Sequence, residues 1–158
     1  METVPVLCLD DIQEDRPMPS RNHAFVAQNI AFYLQLHYRE KYRVCPQLSL
    51  SLVGWDTIPD ISVFKQGVLT KDWRNDEDEV MLPPDLIVEV LSPKQNLQPL
   101  VNKIMRYLEN GVKSCWLVQP MTHLVVLYNP GQPEETFSKG VLHDPSTGID
   151  MPIEEVFA

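Results

Sequence analysis

The spacing of hydrophobic and polar positions changes several times along the chain, and each change marks an element. After Ser20, a candidate N-cap, Ala24, Ala27, Ile30 and Leu34 recur at helical spacing, flanked by Phe25, Val26 and Tyr33. They predict a helix to about Tyr38, closed by the charged run Arg39-Glu40-Lys41. From 43 to 53 the period drops to two. Val44, Leu48, Leu50 and Leu52 interleave with Gln47, Ser49 and Ser51, which predicts one half-buried strand. A turn is expected at Gly54–Thr57, then a strand over Ile58–Phe64 with Pro59 near its start. Residues 65–83 read as a polar connection carrying the acidic run Asp76-Glu77-Asp78-Glu79.

The next stretch, Pro84 to Ser92, is nearly all apolar and predicts a strand buried on both faces. Pro99 suits a first helical turn, Leu100, Ile104, Tyr107 and Leu108 form an apolar stripe, and Asn110-Gly111 is a stop signal. Ser114–Val118 predicts a strand, Pro120–Thr122 a tight connection and His123–Tyr128 the returning arm of a hairpin. Residues 136–158 are weakly patterned, with a short strand expected near Phe137 or Val141-Leu142 and a terminal turn at Ile153–Phe157. This order gives an α/β domain with a mixed central β-sheet flanked by helices. Residues 1–19 read as an N-terminal arm, with a short edge strand at Val4, Val6 and Leu7, and residues 20–158 as a single domain.

Composition narrows the function classes. A chain of 158 residues that is 44% hydrophobic can bury a sizeable core. No apolar run approaches the roughly 20 residues of a membrane span, and the N-terminus lacks a signal-peptide pattern. Cys8, Cys45 and Cys115 are odd in number and unpaired in motif, which predicts reduced thiols in a cytoplasmic protein. No thiol has a nucleophile motif, and His23, His37, His123 and His143 lack zinc-ligand spacing. The net charge of −9 argues against broad binding of nucleic acid through basic residues. It leaves open an acidic site in which a metal supplies the positive charge at a phosphodiester.

The chemistry centres on Glu89. Alternation puts Asp85, Ile87, Glu89 and Leu91 on one face of the buried strand. An unpaired carboxylate there loses several kcal/mol of solvation, so it must shift its pKa, meet a cation or bind a metal. Asp60 on the preceding strand and Lys103 on the following helix are the expected companions. Asp60 and Glu89, with the backbone carbonyl of Val90, form a candidate site for Mg²⁺, with Mn²⁺ as an alternative. Lys103 is placed to orient the attacking water or to neutralise phosphate charge. Asp85 is expected as a strand-start cap or outer support, and His23 as a first-turn histidine of the first helix. Arg39, Lys41 and Arg43, with Tyr38, are candidates for phosphate contact.

Several stretches together resemble the Uma2 family, also called DUF820. They are Ile58-Pro59-Asp60, Pro84-Asp85-Leu86-Ile87-Val88-Glu89-Val90-Leu91-Ser92-Pro93, Lys103-x-x-x-Tyr107 and Gly111-Val112-x-x-x-Trp116-Leu117-Val118. That family is a branch of the PD-(D/E)xK superfamily. The resemblance implies a restriction-endonuclease-like core, a Mg²⁺-dependent endonuclease acting on nucleic acid, above all DNA, and often a homodimer. It assigns Asp60 to the motif aspartate, Glu89 to the acidic residue of the next strand and Lys103 to a lysine moved onto the helix. His23 matches a histidine often found at the start of the first helix. Leu91 stands where the superfamily's lysine usually does, Gln119 stands where the family usually has aspartate, and the Gly-Glu turn of many relatives is absent before the first helix. The alternative is a non-catalytic interaction protein on the same fold, with Glu89–Lys103 as a structural ion pair.

Overall fold

The change of period at Ser20 is a helix cap. In the computed structural model, which describes residues 19–158, Ser20 Oγ accepts from the His23 N–H at 3.2 Å and opens α1 (Arg21–Tyr38). The arm strand expected at Val4, Val6 and Leu7, and Cys8 with it, lie outside the described residues. Helix α1 buries Val26, Ile30 and Leu34, the stripe that its apolar spacing sets.

Among the described residues the main sheet has six strands in the order β1-β4-β5-β6-β7-β8. These are β1 (Tyr42–Pro46), β4 (Ile61–Lys65), β5 (Leu86–Val90), β6 (Ser114–Gln119), β7 (Leu124–Tyr128) and β8 (Glu135–Phe137). Among the described residues, only β5 and β6 of this sheet pair parallel, joined by the crossover helix α2 (Leu97–Glu109); the other neighbours are antiparallel. All five residues of β5 are buried. Leu86, Val88 and Val90 face the α1 layer with Trp116 and Val118. Ile87 faces the α2 layer with Cys115, Leu117, Leu100, Ile104 and Tyr107. The α/β class and the mixed sheet between helices are as the hydrophobic pattern implies. Among the described residues no helix is long and apolar enough to cross a membrane.

Three readings change. The strand expected over 43–53 breaks after Pro46, because Gln47 takes a left-handed φ of +50° and turns its N–H to the Asp60 carbonyl at 3.1 Å. Leu50–Leu52 then forms β2, which pairs with β3 (Trp55–Thr57) as a separate hairpin on the α2 side. The turn expected at Gly54–Thr57 therefore shrinks to Val53-Gly54, both at positive φ. Next, β4 starts at Ile61, which leaves Pro59 and Asp60 just outside the ladder. Finally, residues 141–152 form a hairpin of β9 (Val141–Asp144) and β10 (Ile149–Pro152), followed by α3 (Ile153–Val156). This hairpin is anchored by Asp144, which is fully buried and accepts from Ser114 Oγ, Trp116 Nε1, Asn129 Nδ2 and the Ser146 N–H.

Candidate active site

The alternation of β5 turns Glu89 toward α2, where Lys103 and Tyr107 stand four residues apart on one helical face. Both donate to the same carboxylate oxygen. Glu89 Oε1 receives Lys103 Nζ at 2.8 Å and the Tyr107 hydroxyl at 2.7 Å. Tyr107 is held in turn by Thr57 Oγ1 at 2.9 Å, so the β2–β3 hairpin braces it. Burial pushes the Glu89 carboxyl above the usual carboxylate range; the Lys103 charge pulls against this and the Asp60 charge adds to it. Burial also raises the Tyr107 hydroxyl, which keeps it a proton donor. The Lys103 side chain remains 31% exposed, so the pair stands at the edge of the buried site.

Asp60 meets Glu89 through the β4–β5 ladder, whose last pair is Ile61 with Val88. The Asp60 carboxylate sits beyond that pair and accepts the Val90 N–H on Oδ2 at 2.7 Å. The same oxygen lies 3.0 Å from His23 Nε2, in the first turn of α1. That hydrogen bond is the main reason the His23 pKa is raised; burial opposes it, and the charges of Asp60 and Glu89 add to it. The site thus sits at one end of the sheet and draws on both helical layers.

Each carboxylate has one oxygen fixed by protein donors and one left over. Among the described residues, Asp60 Oδ1 and Glu89 Oε2 have neither a hydrogen-bond nor an ion-pair partner. Two such oxygens fit a hard divalent cation, since Mg²⁺ commonly takes one or two carboxylates and completes its shell with water and substrate oxygens. Among the described residues no group of three or more His, Cys, Asp and Glu side chains is arranged to hold a metal, so the fit rests on this pair. Val90 is tied to the site through its N–H.

The structure brings His23, Asp60, Glu89, Val90 and Lys103 together. Asp85 stands apart. It accepts the Lys65 N–H on Oδ2 at 3.1 Å and pairs with Lys113 through Oδ1 at 3.0 Å, as a cap at the start of β5. Arg39, Lys41 and Arg43 are not brought to the site. The register sets Tyr42 beside Lys65 and Pro46 beside Ile61, so these cations lie at the opposite end of the sheet. Along α1, Arg39 is about 24 Å from His23. Lys41 Nζ donates to the Thr147 carbonyl at 3.1 Å. Tyr107 and Thr57 are the site residues that sequence reasoning missed. The signal for Tyr107 was its i+4 spacing from Lys103, masked by its place in the apolar stripe.

The Uma2 family model, described as a "putative restriction endonuclease", matches residues 7–153. Among solved structures the chain is similar to a "putative nuclease belonging to DUF820" from Anabaena variabilis ATCC 29413, with 24% identity and a TM-score of 0.79 over 90% of this chain and 83% of that one. At that identity the likeness is one of fold. No curated protein matches the chain.

Proposed function

The chain belongs to the Uma2 family, and from that premise we propose that it is a Mg²⁺-dependent endonuclease that hydrolyses phosphodiester bonds of nucleic acid, DNA above all. The observation that carries this reading is the pairing of one fixed and one open oxygen on both Asp60 and Glu89. These two side chains would hold the ion, which supplies Lewis acidity and charge neutralisation when bound. The remaining groups have distinct roles. Lys103, partly exposed, faces the phosphate and stabilises charge that develops on it. Tyr107 and Thr57 keep Glu89 in one rotamer. His23 and the Val90 N–H do the same for Asp60. The apolar strands beneath exclude water from the inner side of the site.

The test is plasmid cleavage with Mg²⁺ and with Mn²⁺, run beside thermal melts of the same protein. Saturation near 100 Kd contributes about 2.7 kcal/mol, or about 5–10 °C in Tm for a chain of this size. Metal-dependent cutting with such a rise supports the nuclease. No cutting and no rise would favour the interaction protein, whose support is the satisfied Glu89–Lys103 pair and Leu91 in the usual lysine position.

His23 gives a second expectation. Replacing His23 with alanine should weaken Mn²⁺ binding roughly 10- to 100-fold, as loss of an orienting partner commonly does. Calorimetric titration of the folded variant measures it, and wild-type affinity would remove His23 from the site.

Homodimer formation and a cytoplasmic setting belong to the same reading. The exposed apolar side chains Phe25, Phe32 and Leu36 on α1 support the first, and the free thiols Cys45 and Cys115 the second.

A further inference from the structure

The end of the sheet that carries Asp60 and Glu89 continues past them. Val90 at the end of β5 lies beside Val118 of β6, Gln119 beside Leu124 at the start of β7, and Val125 beside Phe137 at the end of β8. His123, just before β7, and Lys139, just after β8, therefore lie on the same rim as Glu89. Each lies three residues beyond the row Glu89-Leu117-Val126-Thr136, so at roughly 4.8 Å per strand and 3.4 Å per residue they are about 14 Å and about 18 Å from Glu89.

On that rim an open cavity of about 590 Å³ is lined by His123, Ser138, Lys139, Val141, Glu154 and Phe157, among others. The His123 ring stacks on Phe157 with centroids 4.6 Å apart and planes 4° from parallel, and the residue remains exposed. Its backbone is left-handed, with φ of 50° and ψ of 45°. Glycine adopts that conformation freely, whereas a side chain there costs about 1–2 kcal/mol. The turn by itself does not call for an imidazole, and such positions concentrate at functional sites.

A flat exposed ring, a neighbouring ammonium and a carboxylate acceptor suit one ligand class. We propose that this cavity is a nucleobase subsite of the nuclease, a proposal that rests on the function inferred above. A base of the substrate strand stacks on His123, its flanking phosphate pairs with Lys139, and an exocyclic amino group donates to Glu154.

The experiment uses a fluorescein-labelled single-stranded 12-mer and the full chain, with Ca²⁺ in place of Mg²⁺, read by anisotropy. His123→Gly removes the imidazole and suits the left-handed backbone; Lys139→Gln removes the cation. Each is expected to weaken binding about tenfold, toward the low end of what loss of one stacked base does. A 2-aminopurine in the strand should be quenched by the wild type and not by His123→Gly. Wild-type affinity in both variants, with unchanged circular dichroism, overturns the subsite. If the wild type cuts with Mg²⁺ in that case, the nuclease reading stands without it. A wild type that neither binds the 12-mer nor cuts a plasmid overturns both.

Discussion

Replacing Lys103 with methionine is expected to lower metal-dependent cleavage by roughly 100- to 1,000-fold with the fold intact. Methionine keeps the apolar stem that packs on α2's inner face and deletes the ammonium 2.8 Å from Glu89. Glu89 is then buried with Tyr107 as its remaining donor. Its folded-state pKa, already raised by burial, rises further once the opposing charge is gone. A carboxyl whose pKa is higher in the folded than in the unfolded chain stabilises fully below the unfolded value and loses that stability as pH climbs through the folded one. In chelator, the urea midpoint of Lys103→Met should therefore fall relative to wild type as pH rises above the ordinary glutamate range. Single-turnover cleavage at saturating Mg²⁺ measures the first effect. A rate within fivefold of wild type in the folded variant would assign Lys103 to stability alone.

Asp144→Ala is expected to have the largest effect on stability, about 2–5 kcal/mol, since each buried donor left without its acceptor costs about 1–3 kcal/mol. The carboxylate is fully buried, and its loss leaves the Ser114 hydroxyl and the Trp116 indole N–H without their acceptor inside the core. It also unties the β9–β10 hairpin from β6. Asp144→Asn retains one acceptor oxygen and should cost less. Equilibrium urea unfolding, compared at constant m, gives the numbers. A loss below about 1 kcal/mol for the alanine variant would mean that water replaces the carboxylate there.

Glu89 was legible in the sequence because an acid within an apolar run must be compensated, and that demand can be read without knowing the fold. Lys103 was legible as the cation flanking the stripe of the following helix, although a helical lysine in that position has a solvent-exposed explanation too. Tyr107 was seen as core, and it is core; periodicity reports the ring and says nothing of the hydroxyl, which reaches both Thr57 and Glu89. The alternation over 43–53 survives the break at Gln47 because a period of two records which face is buried, not which sheet a residue joins. Arg39, Lys41 and Arg43 were attractive as charges close in sequence to α1. Their distance from the site follows from helix direction, since His23 opens α1 at one end of the sheet and these cations follow its other end.

The parallel pairing of β5 with β6 has a consequence in time. Among the described residues it is the only parallel pair of the six-stranded sheet, and it forms after a crossover through α2. Such non-local pairings are slow to form compared with hairpins and helices. Glu89 faces Leu117 across this pair, and residues as distant as His23, Thr57 and Tyr107 must converge before both carboxylates are oriented. A partly made chain, with α1 and the first strands already out of the ribosome, would hold Asp60 without its acidic companion fixed. On the function proposed above, both carboxylates would be oriented for it only when the crossover closes, late in folding.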